Sequence, residues 1–330
     1  EHFNDLVVAT YGRGFWILDD LTPLQQLSQS ALDADVHLFS PRPAYRFRSK
    51  QPPMSQPEDP GAGRNPTFGA SIHYLLNVEA EDAVELAILD SEGVVVKDLG
   101  SVPEKAGLHR VFWDLRYESS ETPKMRTKVL EHSHVPIGDD GWRPAGETGR
   151  VTPLAPPGEY TLRLTVGDAD FTRELTVLKD PSSTGSEADI RAQTAVILQL
   201  REEANAVVGL INEAEVIRAQ LLQLKDRVGG MEAGEEIVQA ADGVDERLVQ
   251  LEMGLTDLRL SGGTAGQDRL RWPRQLYAKI TSLAGYIGGS DFRPTTQQLE
   301  VHERYQALLS EAESEMAAVK SGPLAALNRL

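Results

Sequence analysis

Asp19 and Asp20 are adjacent carboxylates, and glycoside hydrolysis needs two carboxyl groups across a bond. Neighbouring residues of a strand point to opposite faces, so these two cannot form that pair together and either would need a partner from elsewhere. Tyr11-Gly12-Arg13-Gly14 has glycines but lacks the Lys-Ser/Thr ending and following helix of a phosphate loop, so a strand turn is the plainer reading. His132 and His134 have the H-x-H spacing of paired metal ligands, with Asp139 and Asp140 nearby. The bland alternative there is a solvated polar loop. Glu300, His302 and Glu303 lack the H-E-x-x-H order of a zinc peptidase and read as surface or packed helix residues. Neither a G-x-S-x-G elbow nor a G-x-G-x-x-G turn occurs. Trp113, Trp272 and Tyr305 sit at patterned positions and read as core. Trp142 lies in the polar stretch GDDGWRPAG, where an aromatic ring has no evident sheet to face, and is the best candidate for a partner contact. No set of catalytic residues converges, and no cofactor is implied.

Composition narrows the classes further. At 330 residues the chain can hold two or three domains, each with its own core. The net charge of −17 is spread over both halves, and no basic stripe exists to meet phosphates, so nucleic acid is not expected as a ligand. The absence of cysteine removes disulfides, thiolate catalysis and Cys-rich zinc sites. No run of about eighteen apolar residues is present, so any membrane contact is expected through a partner.

The elements that would position these residues follow from apolar periodicity. Leu6 to Ala9 and Phe15 to Leu18 are β-rich runs, with Gly12 and Gly14 supplying the turn between them. Two strands bury too little to stand alone, so this hairpin is expected to finish a sheet whose other strands lie elsewhere, upstream in a longer chain. Residues 25–66 read as connector and linker, with a β-rich run beginning at Val36 to Phe39 and with Arg48 to Pro66 rich in proline and glycine. Residues 67–180 alternate with period two through Ile72, Tyr74 and Leu76, then Val111, Trp113 and Leu115, and finally Tyr160, Leu162, Leu164 and Val166. About seven strands without intervening helices predict an immunoglobulin-like antiparallel β-sandwich, interrupted by a long loop at 118–157 that is functional or disordered. Residues 181–330 switch to helical period. Ser186 and Asp189 cap a helix to Val228, about 63 Å long. Gly229 and Gly230 stop it, and Ile237 to Leu258 returns antiparallel before Gly262 and Gly263. A third helix is expected from Trp272 with Pro273 at its first position. A fourth starts with the capping box Thr295–Gln298 and ends at Gly322 and Pro323. The predicted class is multidomain α+β: hairpin at 1–24, sandwich, then an antiparallel helical bundle with one long helix.

Three segments in the same order carry a family resemblance: ATYGRGFWILDDLTPLQQL from Ala9, GLHRVFWDLRY from Gly107 with PPGEYTLRL ending at Leu164, and WPRQLYAKITSLAGYIGGSDFRPTTQQLEVHERY from Trp272. Together they resemble the C-terminal part of sortilin-like, BNR-repeat β-propeller proteins of bacteria, often labelled glycosyl hydrolases. The resemblance implies that residues 1–24 are the hairpin of a last propeller blade and that the upstream propeller belongs to the same precursor. It also implies a periplasmic or extracellular location, and places Arg13 where it could meet an anionic ligand at a propeller mouth. The expected function is a non-catalytic structural and protein-interaction module in a larger extracytoplasmic, membrane-associated assembly. The alternative is the supporting part of a glycosidase-like hydrolase whose reaction centre lies in the propeller.

Overall fold

The computed structural model describes residues 3–12, 14–48, 66–147, 149–231, 234–261 and 272–330. It is an α+β chain that divides into two compact units, Glu1–Glu118 with Leu154–Arg191, and Ser119–Pro153 with Ala192–Leu330. Arg13, most of the 48–66 linker, and Gly262 with Gly263 lie outside the described residues.

The first unit opens with strands β1 (Leu6–Ala9) and β2 (Phe15–Leu18), paired only with each other among the described residues. Gly12 and Gly14 both adopt positive φ, as the turn requires. Short helices α1 (Thr22–Gln26) and α2 (Gln29–Asp33) follow. Strands β3 (Val36–Leu38), β5 (Ala70–Leu76) and β8 (Gly107–Trp113) then form one antiparallel sheet in the order β3-β5-β8. A second sheet has the order β4-β12-β11-β6-β7, built from β4 (Ala44–Arg46), β6 (Val84–Leu89), β7 (Val95–Ser101), β11 (Gly158–Val166) and β12 (Ala169–Lys179).

The buried faces of both sheets share one core, in which Ile72, Tyr74 and Leu76 join Leu86, Ile88, Leu162, Leu164 and Val177. Trp113 fills its centre, its ring 5.2 Å from that of Tyr160 and its indole N–H donated to the Arg116 carbonyl. Period-two alternation predicted Ile72, Tyr74, Leu76, Leu162 and Leu164 of this inward set, because the pleat sends alternate side chains to one face. Two findings differ from the expectation. Ala44–Arg46, assigned to the connector, is a sheet strand like the β-rich Val36–Leu38 run before it; three residues are too few for alternation to register. In addition, β4 runs parallel to β12, pairing Ala44 with Val177. Buried Arg46 secures that edge by donating Nε–H to the Ala155 carbonyl at 2.8 Å.

The helices follow. The long helix α3 (Glu187–Val228) begins where predicted, with Ser186 Oγ accepting the Asp189 N–H and donating to the Asp189 carboxylate. Helix α4 (Gly234–Leu255) returns antiparallel, as Lys225 with Asp242 and Arg218 with Asp245 show. Ile197, Leu200, Ala204, Val207, Ile211 and Leu221 of α3 and Ala241, Val244, Leu248 and Leu251 of α4 belong to one buried helical core. Helix α5 (Leu276–Gly288) starts later than Pro273, because Gln275 is extended and its N–H is taken by Glu147 at 3.0 Å. Helix α6 (Thr296–Val319) has the complete capping box at Thr295 and Gln298. Thr295→Ala should cost about 1 kcal/mol, read as a lower unfolding midpoint with unchanged m-value; an unchanged midpoint would contradict the cap.

Gly322 and Pro323 do not end this last helical stretch. Lys320–Leu324 widens into a π-type turn and Ala325–Leu327 continues helical. Proline lacks an N–H and clashes with the carbonyl one turn back, and the wider turn relieves both problems without stopping the helix.

Candidate functional site

Two arrangements stand out, one in each unit. In the first unit the hairpin register pairs Leu6 with Leu18 and Val8 with Trp16 on one face, and Val7 with Ile17 and Ala9 with Phe15 on the other. Every one of these residues is exposed. Phe15 is 77% exposed, Trp16 67%, Ile17 61% and Val7 58%. An antiparallel ribbon with one solvated face alternates apolar with polar, whereas this one is apolar on both. Among the described residues, no further strand pairs with either of its edges. The Thr10 N–H donates to the Gly14 carbonyl, so by alternation Val8 and Trp16 point their backbone groups inward. Val7, Ala9, Phe15 and Ile17 then present theirs outward.

The base of this hairpin is held by a polar clasp. Asn4 donates to Thr22 Oγ1 at 3.1 Å and to Gln25 Oε1 at 2.9 Å, and its carbonyl accepts the Leu21 N–H. Asp5 accepts from the Asp20 N–H at 2.8 Å and from Arg42 at 3.3 Å. Buried Asp20 adopts positive φ, and its Oδ2 lies 3.7 Å from Arg42 Nε and 3.8 Å from His73 Nδ1. Arg110 completes the clasp, donating Nε–H to His73 Nε2 at 2.8 Å and Nη2–H to the Asp19 carbonyl at 2.9 Å. Burial pushes the His73 imidazole below its ordinary value; Asp20 opposes this, and Arg110 and Arg42 add to it. An aspartate beside a histidine invites comparison with a catalytic dyad, but here the second imidazole nitrogen is already accepting from a guanidinium. It is therefore not free to take a proton from a nucleophile. Asp19 and Asp20 accordingly belong to the hairpin's anchorage. Sequence reasoning missed His73 and Arg110, whose only signal was the polar parity of β5 and β8.

In the second unit, the expected 118–157 loop is a strap seated on the helices. Its legs are tied together by the short strands β9 (Lys124–Met125) and β10 (Arg143–Pro144), and by Ser120 with Val151. Side chains on one stripe of α3 accept its backbone: Asn205 from the Glu121 N–H, Asn212 from the Lys124 N–H, both at 2.8 Å, and Glu215 from those of Arg126 and Thr127. Met125, Ala145 and Val151 enter the helical core. Beneath them lies a buried charge cluster. Arg218 reaches Glu215 at 3.2 Å, Glu252 at 2.8 Å and Asp245 at 2.9 Å, while Arg143 donates to the Thr127 carbonyl. Glu252 is held well above the usual carboxylate range by burial and by neighbouring Glu215, with Arg218 opposing.

The strap also locates the other candidates. Trp142 is half-buried with the Lys124 ammonium 5.5 Å above its ring, so it faces the opposite leg of its own strap. His132 and His134 sit at the strap's tip, ring centroids 5.8 Å apart. Among the described residues no group of three or more His, Asp and Glu side chains is gathered as for a metal, and Asp139 and Asp140 do not complete one. His302 is buried on α6, Nε2 2.7 Å from Glu203 Oε1, which also accepts from Gln306. Trp272 stacks with Arg259, 3.5 Å from its ring. No helix among the described residues is long and apolar enough to cross a membrane.

Known proteins add no assignment. Comparison with protein-family models, curated proteins and solved structures yields no match for this chain. The functional reading therefore rests on the hairpin, the clasp and the strap.

Proposed function

We propose that this chain is a non-catalytic structural and protein-interaction module whose hairpin is built into a β-sheet contributed by another polypeptide or by another part of the same precursor. The observation that carries this reading is the hairpin itself: apolar on both faces, exposed throughout and, among the described residues, joined by no other strand at either edge. Covering these side chains is worth on the order of 10 kcal/mol, enough to offset the entropy lost on association. An added strand would satisfy the outward backbone groups of Val7 and Ala9 or of Phe15 and Ile17. A bilayer could not, since open strand edges have no partners in hydrocarbon. Sheet layers on either side would explain why both faces are apolar. That environment matches the last blade of the BNR-repeat propellers that the sequence resembles, with an immunoglobulin-like reading of the two-sheet unit and an extracytoplasmic setting. The clasp supports the reading, because it fixes the hairpin's base and leaves the strands presented.

A photo-crosslinking residue at Ile17, introduced in the native host, tests the proposal. The expected adduct maps to β-strands of one polypeptide or of the same precursor. Val7→Pro removes an outward N–H without touching the hairpin's own ladder and should reduce the adduct, and Trp16→Ser should weaken the association by roughly 30-fold. A hairpin that stays uncrosslinked, with Trp16 open to a soluble quencher in the native host, would overturn it.

A further inference from the structure

We infer that the clasp at the hairpin's base is a pH-sensitive latch, closed when His73 is neutral and loosened when His73 takes a second proton. The geometry requires the neutral imidazole. Arg110 donates Nε–H to His73 Nε2 at 2.8 Å, so that nitrogen must carry a lone pair, and the ring's own proton sits on Nδ1 facing Asp20. A protonated ring has no acceptor to offer. Its Nε2–H would confront the Arg110 N–H, and Arg110 would be pushed from a position in which it also grips the Asp19 carbonyl at 2.9 Å.

The charged groups facing His73 among the described residues all belong to this balance. Asp20 approaches from the hairpin, with Asp5 on Arg42 behind it, Arg42 from the segment between β3 and β4, and Arg110 from β8. Asp20 would welcome the added charge, but its Oδ2 is already 3.7 Å from Arg42, while Arg42 and Arg110 both oppose a further cation. The imidazole is 4% exposed, so water does little to screen that conflict. Burial and the two guanidinium groups hold the folded His73 below its ordinary value of 6.5. A group depressed on folding contributes stability above its unfolded value and loses it as pH falls through the folded one. The latch is thus closed at neutral pH and weakens on mild acidification.

The expected readout comes from the full chain alone, and so is independent of whether the hairpin has the partner proposed above. Amide hydrogen exchange of Val8, Trp16 and Leu21, normalised for intrinsic rates, should report several-fold more opening at pH 5.5 than at pH 7.5. The Leu162–Ile88 ladder of the sandwich serves as the unchanging control. His73→Gln keeps an oxygen for Arg110 and cannot titrate, so its hairpin exchange should be independent of pH. Equal opening of the wild-type hairpin at both pH values, or a pH dependence that persists in His73→Gln, would overturn the inference. Should that variant fail to fold, NMR titration of the wild-type His73 ring decides: a neutral Nδ1–H tautomer with a midpoint below 6.5 supports the latch, and a midpoint at or above 6.5 refutes it.

Discussion

Glu215→Ala should cost the helical unit about 3–5 kcal/mol, enough to release the strap from α3 at ordinary temperatures. Glu215 is fully buried and accepts two strap amides, the Thr127 hydroxyl at 2.7 Å and the Arg218 guanidinium. Alanine takes this acceptor from the two strap amides and the Thr127 hydroxyl, while Arg218 keeps Glu252 and Asp245, and each stranded donor adds its own desolvation penalty. Glu252→Gln is the contrasting variant. Burial already favours the neutral form of Glu252, and an amide mimics it, so this change should be close to neutral or stabilising at pH 7. The sign follows from the raised folded value: the neutral carboxyl contributes stability below the unfolded value, and that contribution is lost as pH rises through the folded one. Glu252→Gln should therefore also flatten any alkaline decline in stability. Urea denaturation with hydrogen exchange on α3 reads both variants, and equal midpoints for Glu215→Ala and wild type would contradict the strap's anchorage.

Gly69→Ala should destabilise the sandwich by at least about 3 kcal/mol, with the loss confined to that unit. Gly69 enters β5 at φ +123°, where a side chain is strained, and a Cβ there would stand 2.0 Å from the Trp113 carbonyl oxygen. That oxygen is backbone, so no rotamer change relieves the clash. Ala70 pairs with Trp113 in the register, and the indole fills the centre of the two-sheet core, so displacing this strand end shifts the largest buried side chain of the unit. Near-ultraviolet circular dichroism and thermal unfolding would report it. A variant with wild-type melting and an unchanged tryptophan signal would show that the strand end yields without cost.

Much of the scaffold was legible because it depends on short-range periodicity. The pleat fixes which of Tyr160, Leu162 and Leu164 face inward, and the helical repeat fixes Leu200, Val207 and Ala214. The cap at Ser186 and the capping box at Thr295 are local hydrogen bonds between residues three apart, so spacing alone specifies them. The turn at Gly12 and Gly14 is likewise a property of the backbone at those positions. The apolar character of both hairpin faces was also plain in the sequence, and so was the expectation that the hairpin seeks further strands.

Contacts distant along the chain were not legible. Nothing near residues 119–153 says that Asn205, Asn212 and Glu215 will accept its amides, since those partners lie some 80 residues away and carry ordinary helix-surface residue types. A segment without periodicity reads as a free loop until a neighbouring helix supplies the hydrogen bonds that its own backbone cannot make. The clasp has the same origin. His73 and Arg110 sit at outward positions of two strands, and their roles exist only because sheet register sets them side by side and the returning hairpin delivers Asp20 to them. Local chemistry along this chain decides the elements and their buried faces, whereas packing between remote segments decides which polar groups are held, which charges are buried and which strands are left presented to water.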